Sequence, residues 1–107
     1  MVGMDISPEM VEFCRSRYLG SERSSSTSLR FFVADAGDPD SMKPEWGSAF
    51  DLLTSFTALH WVPDQTQVLR NIYFCLKRGG FALLLIPVKA PHAFLQSKLK
   101  NVVFIRF

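Results

Sequence analysis

Little in this 107-residue chain can hold a metal or staple a scaffold, for it has two cysteines and two histidines. Cys14 and Cys75 form no CxxC pair, and no histidine stands at metal-ligand spacing from either, so neither a metal site nor a disulfide framework is supported. Both cysteines fall on predicted helix faces and read as reduced core thiols of a cytoplasmic protein. Net charge is equally scarce at +2, with the basic residues scattered. That excludes the basic stripe that nucleic-acid binding requires. Lys98, Lys100 and Arg106 are the nearest approach to a cluster and read as a solvated face. No apolar run reaches the roughly 20 residues that cross a bilayer, and the amino end lacks the pattern of a secretion signal. There is no Walker loop, Ser/His/Asp set or pair of acid/base carboxylates, so hydrolysis and phosphoryl transfer lack support.

What is present is apolar and periodic. Hydrophobic residues make up 48% and charged residues 21%, a balance that builds a core and argues against disorder. The length allows one domain at most, and is small for a parallel sheet covered on both faces. The organising stretch runs from Phe50 to Phe81. Phe50–Phe56 reads as a buried strand. Val68, Leu69, Ile72, Cys75 and Leu76 then recur at helical spacing and form one core-facing stripe. Asp64 with Gln67 three residues on resembles a capping pair. Lys77 and Arg78 suit the negative end of the helix, and Gly79 offers the left-handed conformation that ends it. Phe81–Val88 is the second apolar run. Strand, helix and strand, the first strand mixing apolar residues with Thr54 and Ser55 and the second apolar throughout, form a βαβ unit of a parallel sheet.

Toward the amino end, Val2 to Asp5 reads as the end of a strand. Ser7 caps the following helix, Pro8 takes its first position and Glu9 its first turn. Met10, Val11, Cys14 and Tyr18 form its apolar stripe, and Gly20 is its stop. Residues 21–28 (SERSSSTS) form a polar connection. Leu29 to Ala34 is a short strand, Asp35 to Pro39 a turn, and Trp46 anchors the excursion that follows. Beyond Pro87, residues 93–100 suit a short helix and Val102 to Phe107 a strand.

In an open parallel α/β sheet, ligands bind beyond the carboxyl ends of the strands. Three such ends carry suggestive residues. Asp5 can accept hydrogen bonds from both hydroxyls of a ribose, with Ile6 against an adenine face, although the same carboxylate can simply help cap the helix. Asp35 can accept from an exocyclic amine while the Ala36 N–H reaches a ring nitrogen, although turns of this composition are common. Ser55 and Phe56 border the reacting end of a nucleotide-like cofactor. Shortly after, His60 and Trp61 can orient a polar or anionic acceptor, the bland alternative being a loop histidine beside a tryptophan that covers the core.

Taken together, VGMDISPEMVEFC, FVADAGDP, FDLLTSFTALHWVPD and VLRNIYFCLKRGGFALLLIPV resemble the class I S-adenosylmethionine-dependent methyltransferases. The branch they look most like includes juvenile hormone acid methyltransferase. The resemblance implies a partial Rossmann-like α/β fold, a parallel sheet with flanking helices truncated at both ends. Residues 1–88 would be a partial methyltransferase domain, with 89–107 a poorly matched tail. It implies S-adenosyl-L-methionine as cofactor, with Asp5 on the ribose, Ile6 beside the adenine, Asp35 and Ala36 on the adenine edge, and Ser55 and Phe56 along the methionine side. Trp61, and His60 with it, would bind a small, carboxylate-bearing apolar acceptor. Neither nucleic acid nor membrane enters the expected partners.

Three departures accompany the resemblance. The family's first strand and Gly-rich loop are absent, Arg78 replaces the proline usual before Gly79-Gly80, and the tail does not clearly match. Without the first strand, the two halves of the sheet lack a shared central partner, which leaves an open parallel edge on each. The expectation is therefore a methyltransferase fragment, inactive alone. Two other readings compete with it: a dinucleotide-binding oxidoreductase, which shares an acid at the end of a second strand, and a degenerate domain kept for protein association.

Overall fold

The computed structural model describes residues 1–19 and 28–87 in full and 102–106 as backbone. The chain divides into two compact units, residues 1–36 and 37–107. Its strands form two sheets, one in each unit.

In the first unit, β1 (Val2–Asp5) and β2 (Arg30–Val33) pair in parallel, with Val2 opposite Arg30 and Asp5 opposite Val33. The Ala34 N–H extends the ladder by donating to the Asp5 carbonyl at 3.0 Å. Between them lies α1 (Pro8–Leu19). Its start matches the sequence reading: Pro8 is the first helical residue, and Ser7 Oγ accepts the Met10 N–H at 3.3 Å. Glu9 accepts the Ser7 hydroxyl at 2.8 Å. That bond, and after it the Glu9 backbone N–H, holds the carboxyl below its ordinary value.

The expected apolar stripe of α1 needs correction. Val11 is buried and Cys14 half-buried, but Met10 and Tyr18 are exposed, as is Phe13 off the stripe. Apolar residues occur around much of this helix, so their spacing did not identify one buried face. A contact that the charge pattern does not reveal ties it to the sheet: Arg15 donates to the Phe31 carbonyl at 2.7 Å.

The second unit contains the anticipated βαβ arrangement. Strand β3 (Phe50–Phe56) pairs in parallel with β4 (Leu76–Leu85), and α2 (Gln65–Cys75) connects them. Val68, Ile72, Leu76, Ala82 and Leu84 form the buried cluster, with Phe50, Leu53, Leu59, Val62 and Ile86 packed against it. Trp46 is buried as an anchor at the end of a short 3-10 turn, Pro44–Trp46. Asp64 caps α2 by accepting the Gln67 N–H at 2.9 Å. The Gln67 side chain does not return the bond and donates instead to Asn71.

Several expectations for this unit change. Phe50–Phe56 is a strand but not a buried one, since Leu52 and Phe56 are exposed and Phe50 and Leu53 only half-buried. Leu69 is 44% exposed, so the buried stripe omits it. The helix also ends at Cys75, ahead of Lys77, Arg78 and Gly79. Phe50 pairs with Leu76, then the register jumps so that Leu52 meets Phe81, and the residues between bulge out. Gly79 does take the left-handed conformation, with φ 78°, but it serves this bulge and not the helix end.

Strand β5 (Val102–Arg106) runs antiparallel to β4, with Leu85 opposite Val102, so the second sheet is mixed. The strand expected to run to Val88 ends at Leu85, ahead of Ile86 and Pro87. The expected stop at Gly20, the helix over residues 93–100 and the strand end at Phe107 lie outside the described residues. No helix among the described residues is long and apolar enough to cross a membrane.

Both cysteines are free. Burial pushes the Cys75 thiol above its ordinary value of 9.0 because the thiolate loses solvation. The folded state therefore resists ionising it, and this contribution to stability is lost as pH rises past 9.0 through the raised value. Iodoacetamide at neutral pH is expected to label half-buried Cys14 first and Cys75 only on unfolding, as peptide mass mapping would read. Equal labelling of both in the folded chain would contradict the burial of Cys75.

Candidate functional site

The first unit brings four of the expected residues to one end of its sheet. Asp5 closes β1, and Asp35 and Ala36 follow closely on the end of the neighbouring parallel strand, so both chain crossings leave the sheet at its carboxyl edge. Asp5 and Ile6 are exposed, while Asp35 and Ala36 are half-buried. Asp5 Oδ1 accepts the Ser7 N–H at 2.8 Å, and its other carboxylate oxygen has no partner among the described residues. This bond holds the turn that leads into the Ser7 cap, so the carboxylate supports the helix start through one oxygen. A carboxylate fixed in this way presents its free oxygen in a defined direction, as hydroxyl recognition needs.

In the second unit, Ser55 and Phe56 end β3, with Ser55 half-buried and Phe56 exposed. The chain then turns sharply. Thr57 has φ 54°, a left-handed conformation that a β-branched residue adopts only when its surroundings impose it. Its N–H donates to the Leu85 carbonyl at 2.8 Å, pinning the turn to the end of β4. A 3-10 turn at Leu59–Trp61 follows, closed by Trp61 N–H to Ala58 at 3.1 Å and Val62 N–H to Leu59 at 3.1 Å.

His60 and Trp61 sit on that turn. Their rings lie 4.8 Å apart between centroids and are tilted by 41°. Trp61 is 80% exposed, so it does not cover the core as the bland alternative required. His60 Nδ1 is buried without a hydrogen-bond partner among the described residues. Such a group is uncommon in a finished core. The indole N–H and imidazole are the donors that an anionic acceptor would use.

Two further residues of this region were not identified from the sequence, Thr57 and Gln65. The strain at Thr57 has no signature, since threonine is an unfavourable choice for its conformation. A separate shallow cleft of about 240 Å³ lies along α2, lined by Pro39, Met42, Gln67, Arg70, Asn71 and Phe74. It contains none of the eight expected residues. Among the described residues, no cluster of three or more His, Cys, Asp or Glu is placed to hold a metal ion.

Comparison with known proteins gives a consistent picture. The family described as "Methyltransferase domain" matches residues 1–82. Juvenile hormone acid O-methyltransferase of Drosophila melanogaster is 41% identical over 85 residues, covering 78% of this chain and 27% of that protein. Trans-aconitate 2-methyltransferase of Deinococcus radiodurans is 29% identical over 93 residues, covering 87% of this chain and 31% of that protein. Among solved structures, an S-adenosylmethionine-dependent methyltransferase from Mesorhizobium loti superposes with a TM-score of 0.59 at 29% identity, covering 78% of this chain and 34% of that one. The chain therefore spans less than a third of the length of either curated relative.

Proposed function

Because the chain belongs to the methyltransferase domain family, matched over residues 1–82, we propose that it carries cofactor and acceptor contacts of an S-adenosylmethionine-dependent enzyme. The acceptor on this reading is a small apolar carboxylic acid. The observation that carries the cofactor side is the placement of Asp5 beside Asp35 and Ala36 at the carboxyl edge of one two-stranded sheet. The acceptor side draws on two relatives of separate lineages, both named for acids. These comparisons favour a methyltransferase over a dinucleotide oxidoreductase or an association module.

When bound, S-adenosylmethionine supplies a methyl group on a sulfonium, open to in-line displacement by an acceptor oxygen. On this reading the free oxygen of Asp5 accepts from the ribose hydroxyls and Ile6 lies against the adenine. Asp35 and the Ala36 N–H address the adenine edge, and Ser55 and Phe56 border the methionine side. His60 and Trp61 donate to the acceptor carboxylate and orient one of its oxygens. An already ionised carboxylate needs no general base, so the protein contributes positioning and exclusion of water. Turnover is not expected from these 107 residues alone, which contain no Gly-rich loop for the methionine part.

The acceptor reading is tested by titrating dodecanoate and dodecanol, in the presence of S-adenosylhomocysteine, while following Trp61 fluorescence in a Trp46→Phe background. Dodecanoate is expected to bind at least about tenfold more tightly, the equivalent of about 1.4 kcal/mol for its charge-assisted contacts. Equal affinities would remove the carboxylate from the proposal.

A further inference from the structure

We propose that Gln65 is a positioning residue, whose side-chain amide clamps the turn that carries His60 and Trp61; its functional half rests on the acceptor reading above. Gln65 Nε2 donates to the Leu59 carbonyl at 2.8 Å and to the Val62 carbonyl at 2.5 Å. Leu59 opens the 3-10 turn and Val62 follows it, so a single amide group bridges the turn from end to end.

The clamp has a firm base. Gln65 is the first residue of α2, and that helix is seated on the core by Val68 and Ile72. Leu59 and Val62 also pack against the core. The ends of the turn are thus held by apolar contacts and its carbonyls by Gln65, with half-buried His60 and exposed Trp61 between them. The adjacent polar residue acts elsewhere, since Asp64 points its carboxylate forward to cap α2. One side chain starts the helix, and its neighbour ties the preceding turn to that helix.

The His60–Trp61 pair needs such support. His60 Nδ1 is buried without a bond of its own among the described residues, and Trp61 is largely surrounded by solvent. Neither ring fixes its own direction through a hydrogen bond among the described residues. Preorganised donors require that their supporting residues be locked in place, and Gln65 supplies that lock by geometry.

The test uses the 107-residue chain with isotope labelling. Gln65→Met removes both donors while preserving side-chain length and helix preference. Asp64→Ala weakens the start of the helix without removing the clamp. In the parent chain, nuclear Overhauser contacts are expected between the His60 and Trp61 rings. Gln65→Met is expected to abolish them and to weaken dodecanoate binding about tenfold, while the Trp46 indole resonance and S-adenosylhomocysteine affinity stay unchanged. Asp64→Ala is expected to move the amides of the first turn of α2 and leave the ring contacts intact. Ring contacts that survive Gln65→Met, or are lost equally in Asp64→Ala, would overturn the clamp. Failure of the parent chain to bind dodecanoate would overturn the acceptor reading instead, with the ring contacts still reporting on Gln65.

Discussion

Asp5→Ala is expected to weaken S-adenosylhomocysteine binding about 100-fold. Hydrogen bonds to a charged group contribute about 1.5–3 kcal/mol each, and the proposed ribose contact contains two of them. A net loss of about 3 kcal/mol corresponds to about two decades in affinity. Because Asp5 Oδ1 also accepts the Ser7 N–H at 2.8 Å, alanine disturbs the entry to α1 as well. Asp5→Asn separates the two effects. Its amide oxygen still accepts the Ser7 N–H, so the start of the helix is retained, but the negative charge is lost and affinity falls. Isothermal calorimetry on the two variants, with circular dichroism to verify folding, reads the outcome. Affinity within about threefold of the parent in both would reduce Asp5 to a turn residue.

The largest effect on stability is expected at Ile72. It is 4% exposed and belongs to a cluster that contains, among the described residues, four other buried side chains. Truncation to alanine removes three carbons from this contact and leaves a cavity between α2 and the sheet, a change that costs about 2–5 kcal/mol. A small unit cannot absorb such a loss easily, because net stabilities are themselves only about 5–15 kcal/mol. Leu69→Ala, one turn away on the exposed side, is expected to change stability by less than about 0.5 kcal/mol. Urea denaturation followed by fluorescence of buried Trp46 compares the two in the same unit. Equal destabilisation would mean that α2 buries a different face.

Much of this architecture was legible because the physical signals were redundant. Phe50, Leu52, Leu53 and Phe56 and the apolar run from Phe81 marked two strands, and Asp64 with Gln67 marked the start of the helix between them. The end of that helix was not legible. Lys77, Arg78 and Gly79 have the composition of a helix terminus, but the pairing of Phe50 with Leu76 draws the chain into the sheet earlier. Cross-strand pairing overrode a correct local preference. On α1 the difficulty was the reverse: Met10 and Tyr18 fit a helical period, yet the apolar residues do not converge on a single side.

The candidate site shows a similar division. Asp5, Asp35 and Ala36 were legible as strand-end residues because two short strands and their turns placed them there. Ser55, Phe56, His60 and Trp61 followed from the third strand and the turn after it. What could not be read was how that turn is held. A glutamine at the first position of a helix is unremarkable in sequence, and only the folded chain shows its amide reaching back to Leu59 and Val62. The left-handed Thr57 likewise arises from its bond to the end of β4.

The central claim is that the carboxyl ends of β1 and β2 receive the adenosine portion of the cofactor. It is tested most directly by titrating S-adenosylhomocysteine into the isotope-labelled 107-residue chain and following its amide resonances. The account predicts saturable shifts at Ile6, Ser7 and Ala36 that disappear in Asp5→Ala. A dispersed spectrum in which those amides stay fixed at millimolar ligand would contradict it.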